Sequence, residues 1–289
     1  MRFSQPISEI IKKRKSTRTF LTQKISGSDL KKIENYIRED KNLIGPFGTK
    51  IKFKVISTLE NKTTENGKIG TYGVIKNAKA YIVGISVNDS RELVEYGYVF
   101  QKLILYLTSL GIGTCWLGGT FTRDKLDKSI TLNDKEIIPC ITPIGYPLEK
   151  RSLLEKAMRL AVKADNRKDW DEIFFDEQLN PIDKSRKEIL STPLEMVRLG
   201  PSASNKQPWV IIVSKDLNHY DFYLEKTENY PGNKMGFEMQ KIDIGIAMCH
   251  FELTSNEMGI KGVWKDKPFK EISKKGIEFI ASFEINENN

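Results

Sequence analysis

The sequence predicts a protein of mixed helices and strands in which one helix-and-strand unit is used twice. Three observations predict it. Gly97–Trp116 aligns without gaps to Gly245–Trp264, placing Gly97 on Gly245, Leu105 on Leu253, Gly111 on Gly259, Ile112 on Ile260 and Trp116 on Trp264. The stretch 43–57, LIGPFGTKIKFKVIS, aligns to 198–214, RLGPSASNKQPWVIIVS, with a two-residue gap. EIIPCITPIGY aligns loosely to GIEFIASFEI. Three matches in one order exceed what chance supplies. Two copies about 150 residues apart are too few for a solenoid. Facing each other, they would mimic a two-fold dimer inside one chain.

The elements follow in order. Residues 5–18 read as a helix, with Ile7, Ile10 and Ile11 at helical spacing and a basic end that suits the helix dipole. A second helix follows, with Ser28 as its N-cap. Gly45-Pro46-Phe47-Gly48 breaks it, and KIKFKVIS alternates as a strand does. Residues 61–73 read as a loop. AKAYIVGISV (78–87) is nearly continuous in apolar residues and reads as a central strand. A long helix over 91–110 ends at Gly111 in the C′ position. GIGTCWLGGTF is a glycine-rich loop, and EIIPCITPIGYP a strand that runs out at Pro147. Residues 148–172 are polar and basic, an excursion before the pattern restarts. The two halves are therefore drawn as 1–172 and 173–289.

Composition narrows the function. The chain has 289 residues, 46 Lys+Arg against 38 Asp+Glu, a net charge of +8 and 39% hydrophobic residues. That is neither a disordered nor a fibrous composition. Three cysteines, Cys115, Cys140 and Cys249, form no CxxC pair, which argues for a reducing compartment and against a disulfide framework or structural zinc. Cys115 has apolar neighbours and no nearby His, so it reads as a buried thiol. No run is long enough to span a membrane and no signal peptide is visible, so the cytoplasm is expected. The basic residues, such as Lys125, Lys128 and Lys135, form no single block and are not interleaved with aromatics, so no nucleic acid is expected. Two histidines, His219 in a polar turn and His250 in an apolar helix, nearly exclude a Ser-His-Asp engine or a His-rich metal site.

The two copies differ where chemistry would sit. Arg14, Ser16 and Arg18 place two guanidiniums and a hydroxyl at i, i+2 and i+4, a fork for a phosphate dianion. If the first helix continues that far, Arg14 and Arg18 share one of its faces. Read alone, the motif also fits a solvated basic helix end. The second copy lacks it. Gly200-Pro201-Ser202-Ala203-Ser204-Asn205-Lys206-Gln207-Pro208-Trp209 offers short polar groups on a turn, where the first copy has only Gly45-Pro46-Phe47-Gly48-Thr49-Lys50. Thr114-Cys115-Trp116-Leu117-Gly118-Gly119 ends in paired glycines that let a ligand approach the backbone. The second copy has Trp264-Lys265-Asp266-Lys267 there. Either loop also reads as a plain turn. Together the pieces complement one another and predict one site across the seam.

RKSTRTF, GPSASNKQPW, the helix running into LGIGTCWLGG, and IGYP closing a strand together resemble the FMN-dependent nitroreductase family. The restart resembles the branch in which two halves of the usual homodimer are fused. The resemblance implies an α+β fold of mostly antiparallel sheets wrapped by helices, with FMN at the interface of the halves. It implies that Arg14, Ser16 and Arg18 hold the phosphate and ribityl, and that Pro201, Ser202, Ala203 and Asn205 form the loop lent by the other half. Gly118 and Gly119, after Trp116 and Leu117, would line the flavin N5 edge. Arg167 and Lys168 would return to the phosphate, with Lys150 and Arg151 as rivals. Lys68 and Tyr72 are candidates for the pyrimidine ring. The degenerate GPFGTK loop puts a second flavin in doubt. Ala203 stands where some members have Ser.

The implied activity is a ping-pong oxidoreductase. NAD(P)H would pass a hydride to N5, and a nitro compound, quinone or similar small acceptor would then take it. The flavin would carry the chemistry, so no catalytic side chain and no metal is expected. No GxGxxG follows a strand, so nicotinamide would bind without a domain of its own. The chain would be a monomer, its own pseudo-dimer. The rival reading is a non-enzymatic or regulatory flavin-binding protein on the same scaffold.

Overall fold

Two sheets, antiparallel but for one strand pair, lie on either side of a pair of crossed helices. The computed structural model describes residues 3–57, 73–119, 121, 130–149, 157, 160, 163, 165–182, 188–230, 232, 235–272 and 274–286. Most of the expected 61–73 loop, Lys68, Tyr72, Lys125, Lys128, Lys150 and Arg151 lie outside them.

The first sheet forms around β2 (Ala80–Val87), which pairs with β1 (Lys52–Ser57), β3 (Glu136–Ile137) and β4 (Ile141–Ile144), all antiparallel. β2 is buried along nearly its whole length, as a central strand must be. The expected single strand over EIIPCITPIGYP is two. Between them the chain bulges: Ile137 to Ile141 opposes the shorter stretch Ser86 to Val83. Pro139 sits in the bulge, where no ladder N–H is needed.

The second sheet has the order β5-β6-β7-β9-β8, from β5 (Phe174–Phe175), β6 (Trp209–Val213), β7 (His219–Glu225), β8 (Gly262–Lys265) and β9 (Ile277–Ile285). Only β5–β6 is parallel. His219, expected in a turn, opens β7, because the turn closes earlier with Leu217 N–H on Ser214 O.

Three short helices precede the first sheet: α1 (Ile7–Lys13), α2 (Gly27–Arg38) and α3 (Asp40–Leu43). α1 buries Ile7, Ile10 and Ile11 and stops at Lys13, five residues short of expectation, because Arg14 turns to an extended ψ of 122°. α2 is capped by Ser26, not Ser28: Ser26 Oγ accepts from Asp29 N–H at 3.1 Å.

The long helices form the centre. α4 (Ser90–Ser109) is capped by Asp89 and ends before Gly111, whose φ of +73° suits the C′ position. α6 (Met239–Glu257) is buried on nearly every face, and α5 (Glu188–Arg198) packs against it. Where α4 and α6 cross, a Cβ on Gly97 would stand 2.1 Å from Ile242 O, and one on Gly245 2.0 Å from Val94 O. Gly97 aligns with Gly245, and by the same offset Val94 with Ile242. The contact is therefore its own mirror, as at a two-fold interface, where residue i meets j and j meets i.

Candidate functional site

The turn of the chain at Arg14 reorganises the cationic motif. Residues after α1 run extended, with Ser16 bridged to Thr114, and Thr17 N–H donating to Thr114 O at 2.7 Å. In an extended segment the side chains alternate, so residues two apart share a face. Arg14, Ser16 and Arg18 are brought together by this period of two, not by the shared helix face expected from the sequence.

A cavity of about 740 Å³ opens at the seam, within the range of small-molecule sites. Arg14, Ser16 and Arg18 line it on one side, and Trp116, Leu117, Gly118 and Gly119 continue that wall. From the other half come Pro201, Ser202, Ala203, Ser204 and Asn205, with Arg167 beside them. Lys168 is not among the lining residues. Its ammonium lies 3.5 Å from Glu225, at a separate concavity of about 320 Å³.

Each wall has a local cause. Leu117 is clamped by two backbone bonds to Ile141, of 3.0 and 2.9 Å. Gly118 and Gly119 face two methionines: a Cβ on Gly118 would meet Met239 Cε of α6 at 2.6 Å, and one on Gly119 would meet Met235 Cε at 2.9 Å, so a side chain there would need the methionine ends to shift. Trp116 is fixed from behind. Its Nε1–H donates to Gln101 Oε1 (3.0 Å), and Gln101 Nε2 lies 2.7 Å from His250 Nε2. His250 Nδ1 in turn lies 2.7 Å from Met196 O. Only a neutral imidazole with its proton on Nδ1 satisfies both contacts. Burial keeps it neutral, pushing its pKa down to about 3, and the charges of Arg14 and Arg167 push the same way. His250 is thus a satisfied core histidine.

The polar loop spends much of its polarity on itself. Ser204, Asn205 and Gln207 have φ of 50°, 55° and 48°, and Ser202 Oγ accepts from Gln207 N–H at 2.8 Å. Asn205 does not offer its amide freely: Nδ2 donates to Lys163 O and Asn166 O, and Oδ1 lies 3.4 Å from Arg167 Nη1. Arg167 also donates to Leu199 O at 3.3 Å, so loop and guanidinium brace each other.

Arg18 and Asp243, both lining the cavity, leave buried polar atoms unpartnered. Among the described residues, Nε and Nη1 of Arg18 are buried without a hydrogen-bond partner. Such donors are costly to leave unmade, and an anion would satisfy them. The second is Asp243 on α6, which the sequence reading missed. Its Oδ1 accepts from Ala203 N–H at 2.9 Å, while Oδ2 is buried and unpartnered. Burial raises its pKa to about 8. Met235, Met239, Ile242 and Tyr230 also line the cavity and carried no polar signature in the sequence. Burial raises the Tyr230 phenol pKa. Among the described residues no cluster of metal-ligating side chains occurs, and no helix is long and apolar enough to cross a membrane.

The fold agrees with the comparisons. The family model described as "Putative TM nitroreductase" matches residues 6–255. The chain belongs to this nitroreductase family. No curated protein matches it. A "putative nitroreductase" from Thermotoga maritima is 23% identical with a TM-score of 0.60, covering 99% of this chain and 96% of that one. That likeness extends the α+β, mostly antiparallel architecture over the whole chain. A nitroreductase with bound FMN from Bacteroides fragilis is 18% identical with a TM-score of 0.38, covering 52% of this chain and 92% of that one. An FMN-dependent nitroreductase from Clostridium difficile R20291 is 21% identical with a TM-score of 0.38, covering 50% and 88%.

Proposed function

We propose that this protein is an FMN-dependent oxidoreductase that uses NAD(P)H to reduce a nitro compound, a quinone or a similar small acceptor. The observation that carries the reading is Arg18, with two buried, unpartnered guanidinium nitrogens in a cavity shared by both halves. A phosphate monoester is an acceptor of the right charge for them, beside Arg14 and the Ser16 hydroxyl. Gly118 and Gly119 would bring backbone against the flat part of the cofactor. The Pro201–Asn205 loop would close it from the other half. Bound FMN would supply the two-electron chemistry.

The chain's own residues would then bind, orient and exclude water. Trp116 is held by Gln101 and His250, and α6 supplies an apolar wall through Met239, Ile242 and Ile246. Halves bounded at 1–172 and 173–289 would give one such site per chain, in a soluble cytoplasmic monomer. The degenerate first loop supports a single site. The rival reading, a flavin-binding protein without turnover, draws on Met235 and Met239, which sit over Gly118 and Gly119 and narrow access to that edge.

The test is an absorption spectrum of the purified protein with the released chromophore identified by mass. About one FMN per chain is expected, and Arg14→Ala with Arg18→Ala should remove it. A colourless protein that cannot be reconstituted with FMN would overturn the reading. Full FMN with negligible turnover on every acceptor would favour the rival. NADPH and acceptor kinetics should give parallel lines, and converging lines would replace alternation with a ternary complex.

A further inference from the structure

Asp243 has an aligned counterpart that shows what a purely structural carboxylate does at this position. Glu95 precedes Gly97 as Asp243 precedes Gly245, and each acid faces the Gly-Pro loop of its own half. Glu95 is fully occupied. Its oxygens accept from Phe47 N–H (both 3.1 Å) and from Thr49 N–H (3.0 Å). Gly45 leaves the carboxylate no space to spare, since a Cβ there would lie 2.6 Å from it. Asp243 is shorter by one methylene, is only 2% exposed, and holds its loop with Oδ1 alone. The oxygen that would complete the structural role has no partner, and it belongs to a residue lining the seam cavity.

We propose that Asp243 is a ligand-contacting residue, with Oδ1 kept on the Ala203 amide and Oδ2 hydrogen-bonded to the heterocycle of the cofactor in the cavity. The assignment rests on the flavin reading above. A buried oxygen left unpartnered is destabilising, so a site that keeps one is completed by what fills it. Burial favours the acid form at neutral pH. Oδ2–H is then a donor, and its match on the ligand is a carbonyl oxygen or an unprotonated ring nitrogen. In the first half, saturated Glu95 has nothing left to give a ligand, which agrees with a single site per chain.

The test is FMN binding to the whole chain, read by flavin fluorescence and by infrared difference spectroscopy. Wild type should show a carboxylic-acid C=O band that moves to lower frequency when FMN binds, and Asp243→Asn should lack that band. Asn keeps an acceptor for Ala203 N–H and a donor for the ligand, so its FMN affinity should stay within about threefold of wild type. Asp243→Val should weaken FMN by about tenfold or more, the size expected for a lost buried hydrogen bond. If FMN binds and no acid band moves, Asp243 serves only its loop and this inference fails alone. If wild type binds no FMN, the flavin reading fails and takes this inference with it.

Discussion

The loops at 45–49 and 200–207 occupy equivalent places in the two halves and have gone different ways. The first is tied to Glu95 through Phe47 and Thr49, and Arg91 stacks over the Phe47 ring at 4.7 Å. Both oxygens of Glu95 serve the loop. The second keeps the Gly-Pro start but bends through three left-handed residues and braces Arg167. Its acid, Asp243, remains half used. The difference teaches that a duplicated scaffold can satisfy one copy completely and keep its incompleteness for the other. Among the described residues, the unpartnered buried oxygen lies in the second arrangement, on Asp243.

The largest effect should come from the seam that both halves share. Gly97→Val and Gly245→Val each drive a side chain into the other helix's backbone, and each should cost about 3 kcal/mol or more. The two losses should agree within about 1 kcal/mol by urea unfolding, because the contact is reciprocal. Unequal losses would break the symmetry of the comparison. Gly27→Ala, with nothing near its Cβ, serves as the neutral control.

Next is the cationic fork, present in one half only. Arg18→Ala should weaken FMN by roughly 10- to 100-fold, as for loss of a charge-assisted bond. Equilibrium dialysis measures it. An unchanged affinity would place the phosphate elsewhere.

The two carboxyls should then separate by function. Glu95→Gln should lower stability by about 1–3 kcal/mol, since an amide cannot accept with both atoms, while leaving FMN affinity within twofold. Asp243 should set a pH dependence in the ligand-free protein. Its folded pKa is raised to about 8, against about 4 when unfolded. Between those values the folded state keeps a proton that the unfolded state has released, so stability falls as pH rises. Urea midpoints from pH 4 to 8 should decline in wild type relative to Asp243→Asn. A parallel pair of profiles would remove the titration from Asp243.

The smallest effect should be at Lys168. Its ammonium faces a partly exposed Glu225 outside the cavity, so Lys168→Ala should change stability by less than about 0.5 kcal/mol and FMN affinity by less than twofold. A large loss of FMN would move the phosphate-binding element from Arg167 towards Lys168.

Much of the fold was legible because periodicity reports burial. β2 read as central from its apolar run, and α4 from its length and its terminal Gly111. The paired glycines, the Arg14-Ser16-Arg18 motif and the 201–205 loop were legible as departures between aligned copies. Other features depended on partners far along the chain. α1 stops at Lys13 because Ser16 and Thr17 find Thr114, and no local signal announces that exchange. The break at Pro139 was visible as a proline but not as a bulge. Asp243 had one sequence signal, an acid in an apolar helix at the position of Glu95. That signal lay just upstream of the ungapped alignment and became plain only through the loop it holds.

The sequence by itself determined the fold class and which stretches carry the charged and glycine-rich segments, because these are properties of residue type and order. Only the tertiary structure decided that Arg14, Ser16 and Arg18 share a face by strand period, that Lys168 stands apart from Arg167, and that one oxygen of Asp243 has no partner. Those outcomes are set by contacts between segments more than 30 residues apart. Local pattern carries no information about which of two equivalent polar groups will be satisfied once the helices cross at Gly97 and Gly245.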